Sequence, residues 1–324
     1  MTELTRAGWH IDLIGLGDGF PFADKDTLQS AHRCLADIPE GRAIVVDGLA
    51  LGVLPEAAKQ IGKNHPLVAL VHHPLALESG LTADQAACLH ASERLALASA
   101  AHIVTTSAAT ARLLATDYGV AASHISVAPP GTDPAPPARG MGDGIVRLLS
   151  VGAIVPRKGY DTLIAALATI PDLPWRLAIV GDRTRDPKAA TQLDTDIAGL
   201  GLTDKVSVLG AVPAERLKEA FRSADVFVLA SRFEGYGMAY AEALAHGLPV
   251  VGTRAGAIPD TVPPAAALLV PPDDVEGLAQ ALCEIIGNPQ RRQQLVAAAR
   301  MAASDLPTWE HSAKIFAEVV RRVA

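Results

Sequence analysis

The chain has 324 residues, of which 49% are hydrophobic and 4% aromatic, and its formal net charge is −7 at pH 7. This length can bury two hydrophobic cores, and the acidic balance without a dense Lys/Arg run argues against a nucleic-acid-binding protein. The three cysteines, Cys34, Cys88 and Cys283, fit neither a disulfide framework nor a zinc site, so a reducing cytoplasm is expected. No apolar run is long enough for a membrane-spanning helix, and the N-terminus lacks the apolar core of a signal peptide.

Short apolar runs alternate with helix-forming stretches along the whole chain. The first series of predicted strands comprises residues 11–16, 43–47, 67–72, 101–106 and 125–128. The second series comprises residues 146–151, 176–180, 206–209, 225–229, 249–252 and 267–270. Regular alternation of strands and helices predicts an α/β protein with right-handed, parallel, doubly wound sheets. Between the two series, residues 129–137 are too rich in proline for a helix or a central strand, which predicts an interdomain linker.

The most informative segment is residues 234–242. Two carboxylates, Glu234 and Glu242, lie eight positions apart, and Gly235-Tyr236-Gly237 follows the first. A predicted strand precedes the segment and a predicted helix starts at Met238, so Glu234 falls in a strand-to-helix loop. The glycines allow close approach of a ligand, and the free N–H groups of the helix start favour a phosphate. Glu242, in the second turn, can accept hydrogen bonds from ribose hydroxyls; the alternative is a solvated Glu234 and a helical pair between Glu242 and His246.

This segment resembles the signature of glycosyltransferase family 4. The similarity covers Ser-Arg-Phe-Glu-Gly-Tyr-Gly at residues 231–237 and Glu-Ala-Leu-Ala-His-Gly-Leu-Pro-Val-Val at residues 242–251. It implies the GT-B fold, in which two doubly wound, Rossmann-like domains face each other across a cleft. The expected domains are an N-terminal acceptor-side domain (1–138) and a C-terminal nucleotide-sugar-binding domain (139–307). A last helix (308–324) is expected to cross back to the first domain.

Further site residues are assigned by position in this scheme. Arg157 and Lys158, adjacent cations after a predicted strand that ends before Gly152, can clamp a diphosphate. The resemblance implies that this element neutralises charge on the leaving nucleoside diphosphate, so that no metal and no other cofactor is required. It also places Asp182 and Arg183 near the base and ribose, although a solvated turn would explain both residues equally well.

His72, at the end of a predicted strand, is the histidine that aligns with the one approaching the donor sugar in related transferases. One of His72 and His73 is expected to face the cleft and the other to pack inside. A histidine at a strand end is otherwise a hydrogen-bonded core residue.

The resemblance implies a retaining glycosyltransferase that moves a sugar from a nucleoside-diphosphate sugar to a hydroxyl acceptor, which can be a glycan, a lipid-linked sugar or a small molecule. Glu242 would hold the ribose and Glu234 the sugar hydroxyls. No carboxylate of the N-terminal half matches a family nucleophile, which favours same-face transfer with the leaving phosphate as base. Two alternatives are a nucleotide-sugar-binding protein without transferase activity and, less favoured, a nucleotide-sugar epimerase.

The N-terminus departs from the family pattern. The expected first strand and its glycine-rich loop are missing, and residues 1–11 resemble the end of the first helix running into the second strand. A missing central strand would leave a gap in the first sheet. An upstream start, a rearranged or dimeric sheet, and a degenerate transferase are the three explanations. The first 140 residues carry more acidic than basic side chains, which is a poor match to anionic lipid; peripheral binding at the inner membrane face is the alternative to a purely cytoplasmic location.

Overall fold

A computed structural model describes all 324 residues, which form two compact units. The first unit comprises residues 1–131 and 307–324, and the second comprises residues 132–306. Each unit contains one parallel sheet with helices packed against it.

The sheet of the first unit has four strands in the order β1-β2-β3-β4. These strands are Ile44–Asp47 (β1), Leu67–Val71 (β2), His102–Thr105 (β3) and Ile125–Val127 (β4). Alternate side chains of these strands point to opposite faces, and each face builds a core. The larger core includes Ile61, Leu67 and Ile103, and the smaller one joins Val68 and Val104 to Val319 of the last helix.

Seven helices belong to the first unit. They are Thr2–Arg6 (α1), Lys25–Ala36 (α2), Gly48–Leu51 (α3), Pro55–Asn64 (α4), Ala83–Leu97 (α5), Ala108–Asp117 (α6) and, after the second unit, Trp309–Val323 (α14). Short 3-10 turns cover Leu75–Leu77 and Ala122–His124. The start of α14 lies so close to Gly131 that a Cβ there would be 2.1 Å from the backbone nitrogen of Trp309. Glycine is therefore required at this contact between two distant parts of the chain.

The predicted strand at residues 11–16 is wrong. These residues form no strand, and the side chain of Leu13 is 79% exposed. Asp12 is instead bound to Arg42, which holds this irregular segment beside the start of β1. The expected gap in the sheet is also wrong, because β1 to β4 are neighbours in sequence order without an interruption.

The sheet of the second unit has six strands in the order β10-β9-β8-β5-β6-β7. These strands are Val146–Val151 (β5), Trp175–Val180 (β6), Val206–Gly210 (β7), Val226–Leu229 (β8), Val250–Thr253 (β9) and Ala267–Val270 (β10). All pairings are parallel, and β5 pairs with β6 on one side and with β8 on the other. The strand order therefore reverses between β5 and β8, which confirms the predicted doubly wound sheet in this unit.

Seven helices surround this sheet. They are Tyr160–Ala168 (α7), Pro187–Gly199 (α8), Ala214–Ser223 (α9), Met238–Ala245 (α10), Ile258–Thr261 (α11), Val275–Gly287 (α12) and Pro289–Ala303 (α13). Short 3-10 turns cover Pro156–Lys158 and Pro264–Ala266. One large core of Val, Leu, Ile and Ala side chains, with buried Trp175, Phe227 and Tyr240, fills the unit.

The boundary between the two units lies between Gly131 and Thr132, earlier than the predicted boundary at residue 138. The reason is a pair of hydrogen bonds that fix the end of the proline-rich segment to the second unit. The Pro136 carbonyl is 2.8 Å from Nδ1 of His246, and the Ala138 N–H donates to the His246 carbonyl. None of the helices combines the length and apolar character that crossing a membrane demands.

Two buried titratable side chains change the pH dependence of the first unit's stability in opposite directions. Glu93 in α5 is 1% exposed, and burial raises its pKa to about 7 despite the hydrogen bond from the Leu75 N–H. His102 in β3 is 3% exposed, and burial together with the positive charge of Arg322 lowers its pKa to about 4. Rising pH therefore removes stability through Glu93 but adds stability through His102 as it passes these pKa values.

We expect Glu93→Gln to remove the loss of stability that Glu93 causes as the pH rises. Unfolded glutamate loses its proton near pH 4.5, whereas buried Glu93 keeps it to about pH 7. Its contribution to the free energy of unfolding is full below pH 4.5 and falls as the pH rises through 7, by at most about 3 kcal/mol. Urea unfolding of both proteins at about pH 4 and about pH 8 measures the change, since the His102 effect cancels in the difference. An equal difference at both pH values would contradict the expectation.

Candidate functional site

The reversal of strand order in the second unit creates a crevice at the carboxyl ends of β5 and β8. In doubly wound sheets this position is where ligands bind, because the loops after the two strands diverge to opposite faces. The loop after β5 runs through residues 152–159, and the loop after β8 runs through residues 230–237. These two loops contain most of the predicted site residues.

The two loops are joined by backbone contacts. Gly159 has a φ of +64°, and a Cβ at this position would lie 2.0 Å from the carbonyl oxygen of Ala230. The N–H of Arg232 donates to the carbonyl of Arg157 at 2.8 Å. In the opposite direction, Nη1 of Arg157 donates to the carbonyl of Phe233 at 2.9 Å. The cationic turn and the loop of Glu234 therefore have one fixed relative geometry.

Glu234 lies at the centre of an ion cluster. Its Oε1 accepts hydrogen bonds from Nζ of Lys158 at 2.7 Å and from the hydroxyl of Ser231 at 2.6 Å. Its Oε2 lies 3.5 Å from Nη1 of Arg157. The three charged side chains are largely buried, with exposed fractions of 17% for Arg157, 14% for Lys158 and 8% for Glu234.

This cluster of Arg157, Lys158 and Glu234, called the cation cluster below, carries two positive charges and one negative charge. Its net charge is positive, and Lys158 has three donors of which the structure uses one for Glu234. A partly buried site screens charge less than open water does, so an anion placed here is attracted more strongly than at the surface. The arrangement can therefore bind a phosphate or diphosphate.

A third loop, after β9, supports Glu234 from behind. Gly256 has a φ of +55°, and a Cβ there would lie 2.3 Å from the Glu234 carbonyl oxygen. The Ala257 N–H donates to the same carbonyl at 2.9 Å. The hydroxyl of Thr261 donates to the carbonyl of Tyr236 at 2.6 Å. Three loops from adjacent strands thus hold one short segment in place.

The segment Gly235-Tyr236-Gly237 leads directly into α10. Gly237 has a φ of +94° and precedes the helix, and no side chain caps the first turn. The N–H groups of Met238 and Ala239 at the helix start are therefore available to an anion beside the cation cluster. Tyr236 is half-buried, and burial raises the pKa of its phenol.

Glu242 lies one turn further along α10 and is half-buried. Burial and the negative charge of Asp133 raise the pKa of its carboxyl group. No hydrogen bond or ion pair engages this carboxylate in the structure. The alternative pairing with His246 is not formed, because His246 bonds to the Pro136 carbonyl and stacks on Phe221 at 4.9 Å.

The remaining predicted residues of this unit lie beside the same crevice. Gly152 packs on Lys158, since a Cβ there would be 3.1 Å from Cε of that lysine. The carbonyl of Asp182 accepts from the Ile154 N–H at 2.8 Å, which places the loop after β6 against the loop after β5. The carboxylate of Asp182 bonds to Thr184, and the Arg183 guanidinium bonds to Asp194 of α8. Both side chains are thus engaged locally.

His72 belongs to the first unit, where it follows β2. Its Nε2 lies 3.0 Å from Oδ2 of Asp47, the last residue of the neighbouring strand β1. Burial raises the pKa of Asp47, but the hydrogen bonds from His72 and from the Leu49 N–H bring it below the ordinary value. The carbonyl of His72 accepts from the Thr106 hydroxyl at 3.0 Å. His72 is the more exposed histidine, whereas His73 is largely buried and contacts Glu78.

Sequence analysis missed three residues that the structure places beside predicted ones. Asp47 contacts His72, Ser231 contacts Glu234, and Asp133 influences Glu242. Asp47 could have been found as an acid at the carboxyl end of a predicted strand, and Ser231 as the first residue of the signature. Asp133 lies in the proline-rich segment, and no local pattern indicated its proximity to Glu242.

Two α/β units, each with its own parallel sheet, are what the GT-B fold of glycosyltransferases requires. The model of glycosyl transferases group 1 matches residues 140–302, and the model of glycosyltransferase family 4 matches residues 44–136. The chain therefore belongs to the glycosyl transferases group 1 family. The predicted family, fold class and enzyme class are confirmed.

Characterised relatives support this assignment. The chain is 29% identical to an MMP alpha-(1->4)-mannosyltransferase of Mycolicibacterium hassiacum, over 94% of this chain and 77% of the relative. It is 30% identical to a D-inositol 3-phosphate glycosyltransferase of Rhodococcus erythropolis, over 80% of this chain and 62% of the relative. The chain thus spans less than the full length of either relative.

Solved structures share the fold. A sucrose-phosphate synthase from Thermosynechococcus elongatus superposes with a TM-score of 0.77 at 24% identity, over 94% of this chain and 81% of the other. The Anabaena protein Alr3699/HepE, in complex with UDP and glucose, gives a TM-score of 0.73 at 22% identity, over 91% and 80%. At these identities the similarity describes the fold alone.

We expect Gly159→Ala to distort the cationic turn and destabilise the second unit. The left-handed φ and the 2.0 Å approach to the Ala230 carbonyl leave no space for a methyl group. The cost should exceed about 1 kcal/mol, the usual penalty of a strained backbone position. Gly199→Ala is the matched control, because Gly199 ends α8 in open space and alanine favours a helix. Thermal unfolding should show a lower Tm for the first variant only; equal Tm values would contradict this reading of the turn.

Proposed function

We propose that this chain transfers a hexose from a nucleoside-diphosphate sugar to a hydroxyl acceptor with retention of configuration. The observation that carries the proposal is the cation cluster beside the uncapped start of α10, at the reversal point of the second sheet. A diphosphate matches the net charge and the donors of this site. The names of the relatives, which include mannosyl- and inositol phosphate glycosyltransferases, support a sugar as the transferred group.

In this proposal, the donor's diphosphate binds Arg157, Lys158 and the N–H groups at Met238. Glu242 accepts hydrogen bonds from the ribose hydroxyls, for which its unengaged, half-buried carboxylate is suited. Gly152 allows the loop after β5 to approach the donor closely. Asp182 and Arg183 lie on the next loop, beside the base.

Glu234 has two tasks in the proposal. Its contacts with Lys158 and Arg157 hold both cations in position before the donor arrives. A carboxylate has about four acceptor sites, so Glu234 can also accept from a sugar hydroxyl while it keeps these contacts. Prepositioned charges need no reorganisation when the leaving group forms, which is the main electrostatic advantage of an enzyme site over water.

We further propose that transfer occurs on one face of the sugar and needs no metal ion. The bond between the anomeric carbon and the diphosphate oxygen breaks, and the acceptor oxygen forms a new bond to that carbon on the same face. The cation cluster stabilises the released charge, and an oxygen of the leaving phosphate takes the proton of the attacking hydroxyl. His72, oriented by Asp47, is assigned to the donor sugar, and the first unit to the acceptor. A trapped covalent glycosyl-enzyme, or loss of transfer in EDTA, would contradict this part of the proposal. We also propose that the chain acts in the cytoplasm, either free or at the inner face of the membrane.

The donor site is tested by thermal shift of the full chain with UDP, GDP, ADP and dTDP and their sugar conjugates. A ligand at about 100 times its Kd adds about 2.7 kcal/mol to the free energy of unfolding, so one nucleotide should raise the Tm by several degrees. Arg157→Ala and Glu242→Ala should remove most of this shift. Arg216→Ala, an exposed arginine on α9, is the matched control and should keep it.

Absence of a shift with every nucleotide would sink the assignment of the donor site. A shift without sugar transfer or donor hydrolysis would instead indicate a nucleotide-sugar-binding protein. The two outcomes are therefore separated by adding an assay for the released nucleoside diphosphate.

The role of Glu234 is tested by comparing two ligands in Glu234→Gln. The substitution raises the net charge of the cation cluster by one unit, so affinity for the nucleoside diphosphate alone should stay equal or increase. Affinity for the nucleotide sugar should fall by about tenfold relative to the diphosphate, as expected for one hydrogen bond to a charged group. Isothermal titration calorimetry with both ligands gives the ratio. An unchanged ratio would mean that Glu234 serves the cations and does not contact the sugar.

A further inference from the structure

The segment after β2 is fixed at several points around His72. Upstream, the carbonyl of His72 accepts from the Thr106 hydroxyl, and its ring is bound to Asp47. Three residues downstream, the N–H of Leu75 donates to Oε2 of Glu93 at 2.9 Å. Between these points lies Pro74, which has no N–H of its own. The position of the imidazole is therefore determined from both sides.

Glu93, the acceptor of the Leu75 N–H, is an unusual residue to find in a buried position. It lies in the middle of α5 and is 1% exposed, and its Oε1 has no hydrogen-bond partner. The backbone of α3 and the following turn closes over it, since a Cβ at Gly52 would be 3.3 Å from Cβ of Glu93 and 2.5 Å from Cδ1 of Leu75. Burial of an acid without full hydrogen bonding costs stability, so packing alone does not explain a glutamate here.

We propose that Glu93 is a positioning residue that fixes the His72 segment by accepting the Leu75 N–H. A hydrogen bond is electrostatically stronger in the low-dielectric interior than in water, so this buried bond holds the backbone at Leu75 in one conformation. Tyr118, at the end of α6, is the titratable side chain that faces Glu93 from another element, and the centre of the His90 ring lies 4.4 Å from that of its ring at an interplanar angle of 43°. Neither side chain replaces the contact with Leu75. The catalytic part of this inference rests on the proposed function, in which His72 approaches the donor sugar.

The first measurement is hydrogen exchange of the full chain by mass spectrometry, which does not depend on activity. In Glu93→Leu the acceptor is lost, and exchange in the peptide containing residues 72–78 should rise by about tenfold or more. Glu93→Gln keeps an oxygen at the same position and should restore protection to within about threefold of the original chain. If Glu93→Leu does not fold, Glu93→Asp replaces it, because its carboxylate is one methylene too short to reach Leu75.

The second measurement is steady-state transfer with the donor and acceptor found for the original chain. Loss of the Glu93 carboxyl group in Glu93→Leu should lower kcat by about tenfold. The KM for the sugar donor should stay within about twofold, since the donor site lies in the other unit. Leu97→Ala is the control from the same helix, because Leu97 is buried in the core of the first unit and its side chain has no atom that accepts a hydrogen bond. It should lower overall stability without changing kcat or the relative protection of residues 72–78.

Unchanged exchange in residues 72–78 of Glu93→Leu would overturn the inference directly. Increased exchange with an unchanged kcat would overturn its catalytic part, because the segment would then be fixed without effect on transfer. If the original chain shows no transfer at all, the proposed function fails, whereas the exchange experiment still decides whether Glu93 fixes the segment.

Discussion

The ion cluster formed by Glu234 with Lys158 and Arg157 is the interaction on which the second unit's site depends. Three charges share a largely buried space, and each cation lies within 3.5 Å of a Glu234 carboxylate oxygen. Removing Glu234 would leave two buried cations without their shared partner, which is more damaging than never having buried them. The cluster also keeps one positive charge in excess. Its geometry is thus fixed before any anion binds, and its attraction for an anion is retained.

Backbone geometry, rather than the side chains alone, makes this cluster possible. Glycines at positions 159 and 256 allow two loops to pass against the loop of Glu234 at distances that no Cβ permits. Reciprocal hydrogen bonds between residues 157 and 232–233 then set the register of the two loops. Parallel sheets bring the carboxyl ends of adjacent strands together. Short loops are therefore enough to place charged side chains that are 76 positions apart in the chain next to each other.

Sequence patterns predicted the second unit closely and the first unit incompletely. Continuous apolar runs between helical stretches identified all six strands of the second sheet, because strands buried on both faces leave a strong local signal. The same signal was misleading at residues 11–16, where an apolar run lies in an exposed, irregular segment. Apolar character indicates what can be buried, but a strand forms only where a neighbouring strand accepts its hydrogen bonds.

In the candidate site, residues of a local sequence motif were predicted, whereas contacts between distant positions were not. Arg157, Lys158, Glu234 and the glycines after it were identified because their motif is local. Their mutual pairing was not predicted; the cations and Glu234 had been assigned to different parts of the donor. Glu93 and Asp47 were missed altogether, since their partners are 18 and 25 positions away and neither belongs to a motif. Such contacts depend on which strand neighbours which, and a single sequence does not contain that information in a readable form.

The separation of these residues between two units has a mechanistic consequence. All residues assigned to the nucleotide in the proposed function, from Gly152 to Glu242, lie within the second unit. The histidine assigned to the sugar lies in the first unit, where Asp47 and the Thr106 hydroxyl hold it independently of any donor contact. Under the proposed function, sugar transfer therefore needs side chains of the first unit in addition to those of the second unit that bind the nucleotide. Under the same proposal, substitutions around His72 in the first unit are expected to lower transfer while donor binding persists, so a binding assay and a transfer assay report on different residues of this chain.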